Sequence, residues 1–224
     1  MELEERRFRV GFVPGVTPDK WARAWARQMP RRPLELLPLT DQDGVALLHS
    51  GELRMCFVRL PVHRNGLHLI PLYDEQPVVV VSREHPVAAY GAIDVSELAD
   101  EHLLQDPDDV PAWRDVATEV AEGARYPLPP MTLRQAVESV AAEAGILIVP
   151  MSLARLHHRK DVVHVPVTGV PVTQVGLAWP QGADDERIEA FIGVVRGRTV
   201  NSSRSTPAAR ASPGTTPRRP RRRA

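Results

Sequence analysis

Short apolar blocks recur along most of this chain, and between them apolar residues return at helical spacing. Residues 8–13 read as a strand. Pro14-Gly15-Val16-Thr17-Pro18 then reads as a helix start, with Thr17 placed to N-cap and Pro18 at the first helical position. Trp21, Trp25 and Met29 recur four apart and form one apolar face. Residues 34–39 are a second strand. Thr40-Asp41-Gln42-Asp43 opens a second helix carrying Val45, Leu47 and Leu48, and residues 53–60 are a third strand. Strand, helix, strand, helix, strand predicts a parallel sheet with helices on its faces and right-handed crossovers.

Residues 66–88, GLHLIPLYDEQPVVVVSREHPVA, hold two strands separated by an acidic, Pro-marked turn. Residues 78–81 are apolar at every position, which predicts burial on both faces. A second series follows. It has a short helix at 95–99, a short strand at 102–105, a Pro- and Asp-rich loop at 106–111 and a helix at 113–122 ended by Gly123. Residues 126–130 read as extended. Thr132-Leu133-Arg134-Gln135 has capping-box spacing. Leu133, Ala136, Val137, Val140, Ala141 and Ala144 share one helical face, and Gly145 marks the stop. Strands are predicted at 146–149 and 162–167, with a helical turn at 151–156 between them. Residues 172–179 form a return strand. Ile188, Phe191, Ile192 and Val195 give a last helix its i, i+3, i+4, i+7 face.

Composition changes this picture at the C-terminus. From about residue 199 the chain is Ser, Thr, Pro, Ala and Arg, with too little apolar surface to offset ordering entropy, so a disordered tail is expected. Residues 201–224 carry seven Arg and no acid. Taking these seven from the 28 basic residues leaves 21 against 28 acidic residues in 1–200, so the body is at −7 and the tail at +7. There is no apolar run long enough to span a bilayer. The charged opening MELEERRFRV has no signal core, which predicts a cytoplasmic chain. Cys56 is the single cysteine, so no intrachain disulfide or Cys-based metal cluster is expected.

Two α/β series joined by two extended crossings make a two-lobed binding architecture. The expected division is residues 8–81 with 174–198 for lobe I, 82–173 for lobe II and 199–224 for the Arg-rich tail. Hinge motion is expected at Val81 and Ser82 on one crossing and at Val175 on the other. Ligands in such sheets sit beyond the carboxyl ends of the strands. That places residues 14–17, 39–42, 59–61 and 131–133 at the cleft. Three of these four are read as helix N-termini, which favour an anion.

The chain resembles the effector-binding domain of LysR-type transcriptional regulators. The resemblance is carried by FRVGFVPG (8–15), ELLPLTDQDGVALLHSGELRMCFVRLP (35–61), GLHLIPLYDEQPVVVVSREHPVA (66–88), VSELADEHLL (95–104), AVESVAAEAGILIVPMSLAR (136–155) and VGLAWP (175–180). It implies an α/β fold of two Rossmann-like lobes joined by two crossing strands, the type 2 periplasmic binding protein fold. It also implies a small-molecule effector between the lobes and a homodimer packed side by side. Its ligand contacts map to Pro14, Gly15 and Thr17, to Thr40, to Arg59 and Leu60, to the loop at Pro111 and Trp113, and to Met131 and Thr132. Seven residues precede the first strand, so the expectation is a stand-alone variant without the family's helix-turn-helix.

Each candidate has a plainer reading beside the functional one. Thr17 and Thr40 can be helix caps, and Arg59 can be a strand-end charge rather than a bidentate anion anchor. Trp113 is expected to pack. His157-His158 point in different directions on one helix beside Arg159 and Lys160, which disfavours a metal. Arg218, Arg219, Arg221, Arg222 and Arg223 can touch DNA nonspecifically through phosphates, or stay solvated. No nucleophile elbow, P-loop or HExxH occurs, and Ser152 has no glycine elbow around it. The expected function is therefore non-enzymatic, without cofactor: sensing of a small anionic effector such as a carboxylate. The alternative is an interaction module whose cleft is filled by its own Met131 or Trp113, acting through dimerisation or through the tail.

Overall fold

The structure is a computed structural model, and it describes residues 7–197. Strands β1 (Phe8–Phe12), β2 (Leu34–Pro38), β3 (Met55–Leu60) and β4 (Leu67–Glu75) alternate with helices α1 (Asp19–Gln28) and α2 (Asp43–His49). Strand β5 (Pro77–Ser82) follows, then a two-residue strand β6 (Ile93–Asp94). The helical pieces α3 (Pro111–Arg114), α4 (Thr118–Ala121) and α5 (Leu133–Ala141) precede β7 (Leu147–Pro150). Helix α6 (Met151–Leu156), β8 (Val162–Thr168), β9 (Thr173–Pro180) and α7 (Glu186–Val195) complete the fold. Among the described residues no helix is long and apolar enough to cross a membrane.

Two sheets result. The first has the order β2-β1-β3-β9-β4, and the second has β6-β8-β5-β7. Strands β1, β2 and β3 pair in parallel, as the alternation of strands and helices predicts. The return strand β9 runs antiparallel to both β3 and β4, so the first sheet is mixed. Its core is aromatic on one face. Phe8 stacks on Trp25 at 5.2 Å, Trp21 stacks on Phe57 at 4.6 Å, and Phe191 of α7 meets Phe8, Trp25 and Phe57 edge-on. Leu48, Leu53, Cys56 and Val58 fill the opposite face beneath α2.

The apolar run at 78–81 is the central strand of the second sheet. Val79 and Val81 pack with Ile148, Val165 and Trp113 on one face, while Val78 and Val80 pack with Val137, Val140 and Leu147 on the other. This corrects the expected lobe boundary. A strand buried on both faces needs a partner on each edge, and β5 finds β7 on one side and β8 on the other. The chain changes sheets at the exposed Gln76 and again between Thr168 and Thr173. Val81 pairs with Val163, Ser82 with Val162, and Val175 with Arg59 and Tyr73. The three expected hinge residues thus sit inside sheet ladders, and the crossings lie at Gln76 and at residues 169–172.

Smaller differences are local. Residues 95–98 form a single 3-10 turn, and 102–105 contribute only an isolated bridge from Leu103 to Ile146. The helix expected at 113–122 breaks into α3 and α4. Gly145 is required there by close approach: a Cβ would stand 2.3 Å from the His102 carbonyl oxygen. The Arg-rich tail, with Arg218, Arg219, Arg221, Arg222 and Arg223, lies outside the described residues.

Candidate functional site

The two sheets face each other across a cleft, and Arg59 stands in its middle. Arg59 is the next-to-last residue of β3, and its side chain is 11% exposed. Its Nε donates to Glu75 Oε2 at 2.8 Å, and Nη1 donates to Asp41 Oδ1 at 2.8 Å. Nη2 donates to the Pro14 carbonyl at 2.9 Å and, at 3.5 Å, to Ser152 Oγ on α6 of the other lobe. All three nitrogens are engaged. This corrects the reading of Arg59 as a guanidinium waiting for an anion: two carboxylates of its own chain already hold it.

Gly15 brings the lobes together at the same point. Its φ is +85°, and a Cβ there would lie 2.5 Å from Ser152 Oγ and 3.2 Å from the Ser152 backbone. Only glycine meets both demands. The Arg59–Pro14–Ser152 contact acts as a septum that divides the cleft into two chambers. One, about 820 Å³, is walled by Asp41 and Arg59 on one side and by Gln105, Asp109, Tyr126 and Met131 of the second lobe on the other. The other, about 880 Å³, lies between Pro14, Thr17, Trp21, Tyr73 and Glu75 and the Ser152, Arg155 and Leu156 edge of α6. Both are of the size that takes a small organic ligand.

The expected contacts are therefore split. Pro14, Gly15 and Thr17 line one chamber, and Arg59 and Met131 line the other. Thr40, Leu60, Pro111, Trp113 and Thr132 line neither. Trp113 is fully buried, and its Nε1 donates to the Leu98 carbonyl at 2.9 Å, so it is a core residue. Pro111 is the exposed first residue of α3. Leu60 pairs with Gln174 and packs at the edge of the core beneath α2. Thr132 closes its capping box: Gln135 N donates to Thr132 Oγ1 at 3.3 Å, and Thr132 N donates to Gln135 Oε1 at 2.8 Å. Neither Thr17 nor Thr40 caps a helix. Helix α1 is preceded by Pro18 and α2 by Gln42, both without a side-chain cap. Thr40 instead donates its hydroxyl to Asp43 Oδ2 at 2.7 Å.

Sequence reasoning passed over Glu75 and Tyr73, included Asp41 only within the cleft segment 39–42, and weighed Ser152 only as a nucleophile. Glu75 is 5% exposed, and its Oε1 is buried with no hydrogen-bond partner; Thr173 Oγ1, across the β4–β9 ladder, is in the same state. Burial raises the Asp41 carboxyl above its ordinary value. Arg59 pulls it back, and the Glu75 charge adds to the rise. Burial also raises the Tyr73 phenol, again with help from Glu75. A buried acid in a run such as Asp74-Glu75-Gln76-Pro77 could have drawn notice, because the neighbouring strand residues leave it no solvent. Burial pushes the Cys56 thiol up to about 12, so it is not a thiolate at neutral pH. Among the described residues no group of His, Cys, Asp and Glu could hold a metal ion.

Comparison with known proteins places this architecture. A family model described as the LysR substrate binding domain matches residues 2–199. A probable hydrogen peroxide-inducible genes activator of Mycobacterium avium is 31% identical over 152 residues, covering 64% of this chain and 49% of that protein. The Hca operon transcriptional activator HcaR of Escherichia coli (strain K12) is 25% identical over 213 residues, covering 88% of this chain and 70% of its own length. The chain thus spans 49% and 70% of the length of these curated relatives. Among solved structures, the oxidized form of OxyR has a TM-score of 0.67 at 23% identity over 86% of this chain and 95% of that one. The BenM effector-binding domain with its effector benzoate has 0.66 at 20%, over 86% and 91%. These likenesses establish the fold, that of type 2 periplasmic binding proteins. The chain belongs to the LysR substrate-binding domain family: it is an effector-binding domain of the kind found in transcriptional regulators, and not an enzyme.

Proposed function

We propose that this chain senses a small-molecule effector in the cleft and passes the signal on as a change in how its lobes meet. The observation that carries this reading is the Arg59 septum. One side chain ties three segments of the first lobe to Ser152 of the second, with a chamber on either side. A ligand that enters either chamber contacts both lobes and shifts their arrangement through its differential affinity for the two states. The anionic, carboxylate class expected from the sequence has less support than the sensing role, because Asp41 and Glu75 already hold Arg59. It requires the ligand carboxylate to take the place of Asp41, the more exposed of the two acids on Arg59. Assembly as a homodimer and nonspecific DNA contact through the Arg-rich tail also belong to the proposal.

Two other readings have less support. The interaction-module reading expected Met131 or Trp113 to fill the cleft, yet Trp113 is in the core and Met131 lines an open chamber. Peroxide sensing, suggested by the names of some relatives, needs a reactive thiol, and Cys56 is single, fully buried and raised in pKa. The test is a thermal-shift screen of small carboxylates, aromatic acids, amines and amides on the full chain. A ligand at a hundred times its Kd adds about 2.7 kcal/mol of stability, which is a shift of about 5–10 °C in a domain this size. A screen in which no compound raises Tm would remove the sensing reading.

A further inference from the structure

We infer that the effector presents an N–H donor, an ammonium or a primary amide, to Glu75 beside the Arg59 septum. The inference rests on the reading of the cleft as an effector site and names the ligand chemistry. Three observations support it. First, the charges at the septum do not balance: one guanidinium faces two carboxylates, Asp41 and Glu75. An incoming anion meets a local excess of negative charge, and a cation or polarised N–H complements it. Second, Glu75 uses only one oxygen. Oε2 accepts from Arg59 Nε, while Oε1 is buried without a donor. A buried carboxylate oxygen without a partner is costly, and a ligand N–H restores what it lacks. Third, Glu75 lies opposite Thr173 in the β4–β9 ladder, and Thr173 Oγ1 is also buried without a partner. The two unpaired oxygens lie near the point where the chain leaves the first sheet, Glu75 bordering one chamber and Thr173 the other.

The chamber that Glu75 lines gives the rest of the ligand. Phe12, Trp21, Leu39, Tyr73 and Leu156 make an apolar wall suited to a ring or short hydrocarbon body. Asp19, Lys20, Arg23 and Arg155 also border this chamber, but all four are exposed, whereas Glu75 is buried. Asp41 and Tyr73 are raised chiefly by burial, with a smaller contribution from the Glu75 charge.

The experiment uses the full chain and three matched probes: benzylamine, benzamide and benzoate. Affinities are measured by isothermal titration calorimetry at neutral pH, and the site is located by amide chemical-shift changes in the unmutated protein. The expected result is that benzylamine or benzamide binds about tenfold tighter than benzoate and perturbs residues 73–76 and Thr173. Glu75→Gln then weakens benzylamine by about tenfold. If that variant does not fold, the chemical-shift map of the unmutated chain decides. An amine footprint away from Glu75, or benzoate binding tighter than both other probes, overturns the inference. Benzoate binding alone at the septum overturns it and leaves the sensing reading standing. No binding by any probe, here or in the wider thermal screen, removes both.

Discussion

Two arginines each hold a glutamate beside the cleft, and their surroundings differ in three respects. Arg125, after α4, donates to Glu119 Oε1 and, through Nη2, to the Leu103 and Gln105 carbonyls at 2.7 and 2.6 Å. Glu119 Oε2 lies 2.6 Å from His102 Nδ1. Both oxygens of Glu119 are used, all partners belong to the second lobe, and the acid has two basic neighbours. Arg59 has the reverse: two acids on one base, partners in both lobes, and one glutamate oxygen unused. Burial raises the carboxyl pKa in both clusters. For Glu119, His102 and Arg125 outweigh it, and the group is held below its usual range. For Asp41, burial and Glu75 together outweigh Arg59, and the group is held above it. The saturated cluster is a clamp within one lobe. The unsaturated one spans two lobes and keeps capacity for a further partner.

Breaking the septum should have the largest effect. Arg59→Ala leaves Glu75, whose side chain is 3% exposed, buried without a counter-charge next to Asp41. The expected loss is about 3 kcal/mol in urea unfolding, in line with removing one partner of a buried pair. The loss should shrink at acid pH, where protonation of Asp41 removes one of the negative charges left without a counter-ion. A loss that is flat with pH would mean that Arg59 acts by packing and not by charge.

The pH dependence separates the clusters further. Glu119 has a lowered folded pKa, so its contribution is complete above its ordinary value of 4.5 and is lost as pH falls through the lower folded value. Asp41 has a raised folded pKa, so it favours the folded state below its ordinary 3.8, and this is lost as pH rises through the folded value. The two slopes oppose each other in acid. Glu119→Gln should therefore flatten the acid limb of a stability profile measured by denaturant unfolding from pH 7 to pH 3. A limb as steep as in the unmutated chain would show that Glu119 does not govern it.

Much of this architecture was legible because it depends on spacing. The four-apart tryptophans of α1, the valine run of β5 and the Thr132–Gln135 capping box each express a local periodicity, and each folds as its spacing requires. The septum was not legible in the same way. Arg59 meets partners 16, 18, 45 and 93 residues away, and no local pattern signals such pairings. Ser152 has its role only because Gly15 approaches it from the other lobe. The two-faced burial of β5 could be read from its composition, but which sheet would claim it could not, since both sheets have interior strands with buried residues. Trp113 reads alike in a core or in a cleft until Leu98 is found at its Nε1. Thr17 and Thr40 follow the composition of N-caps, yet α1 and α2 begin one and two residues later than those caps require.

The smallest expected effect tests the asymmetry itself. Asp41 is 51% exposed at its side chain, while Glu75 is nearly inaccessible, although both hold the same guanidinium at 2.8 Å. Exposed pairs contribute little, because water screens the charge and two mobile side chains must be ordered. Asp41→Asn keeps an oxygen that can accept from Arg59 Nη1 and removes a like charge from beside Glu75. Stability at neutral pH should change by no more than about 0.5 kcal/mol, and the part of the acid response owed to Asp41 should vanish. The same unfolding series measures both. A loss approaching that of Arg59→Ala would place the energetic weight of the septum on its exposed arm and would make Asp41, rather than Glu75, the acid that secures Arg59.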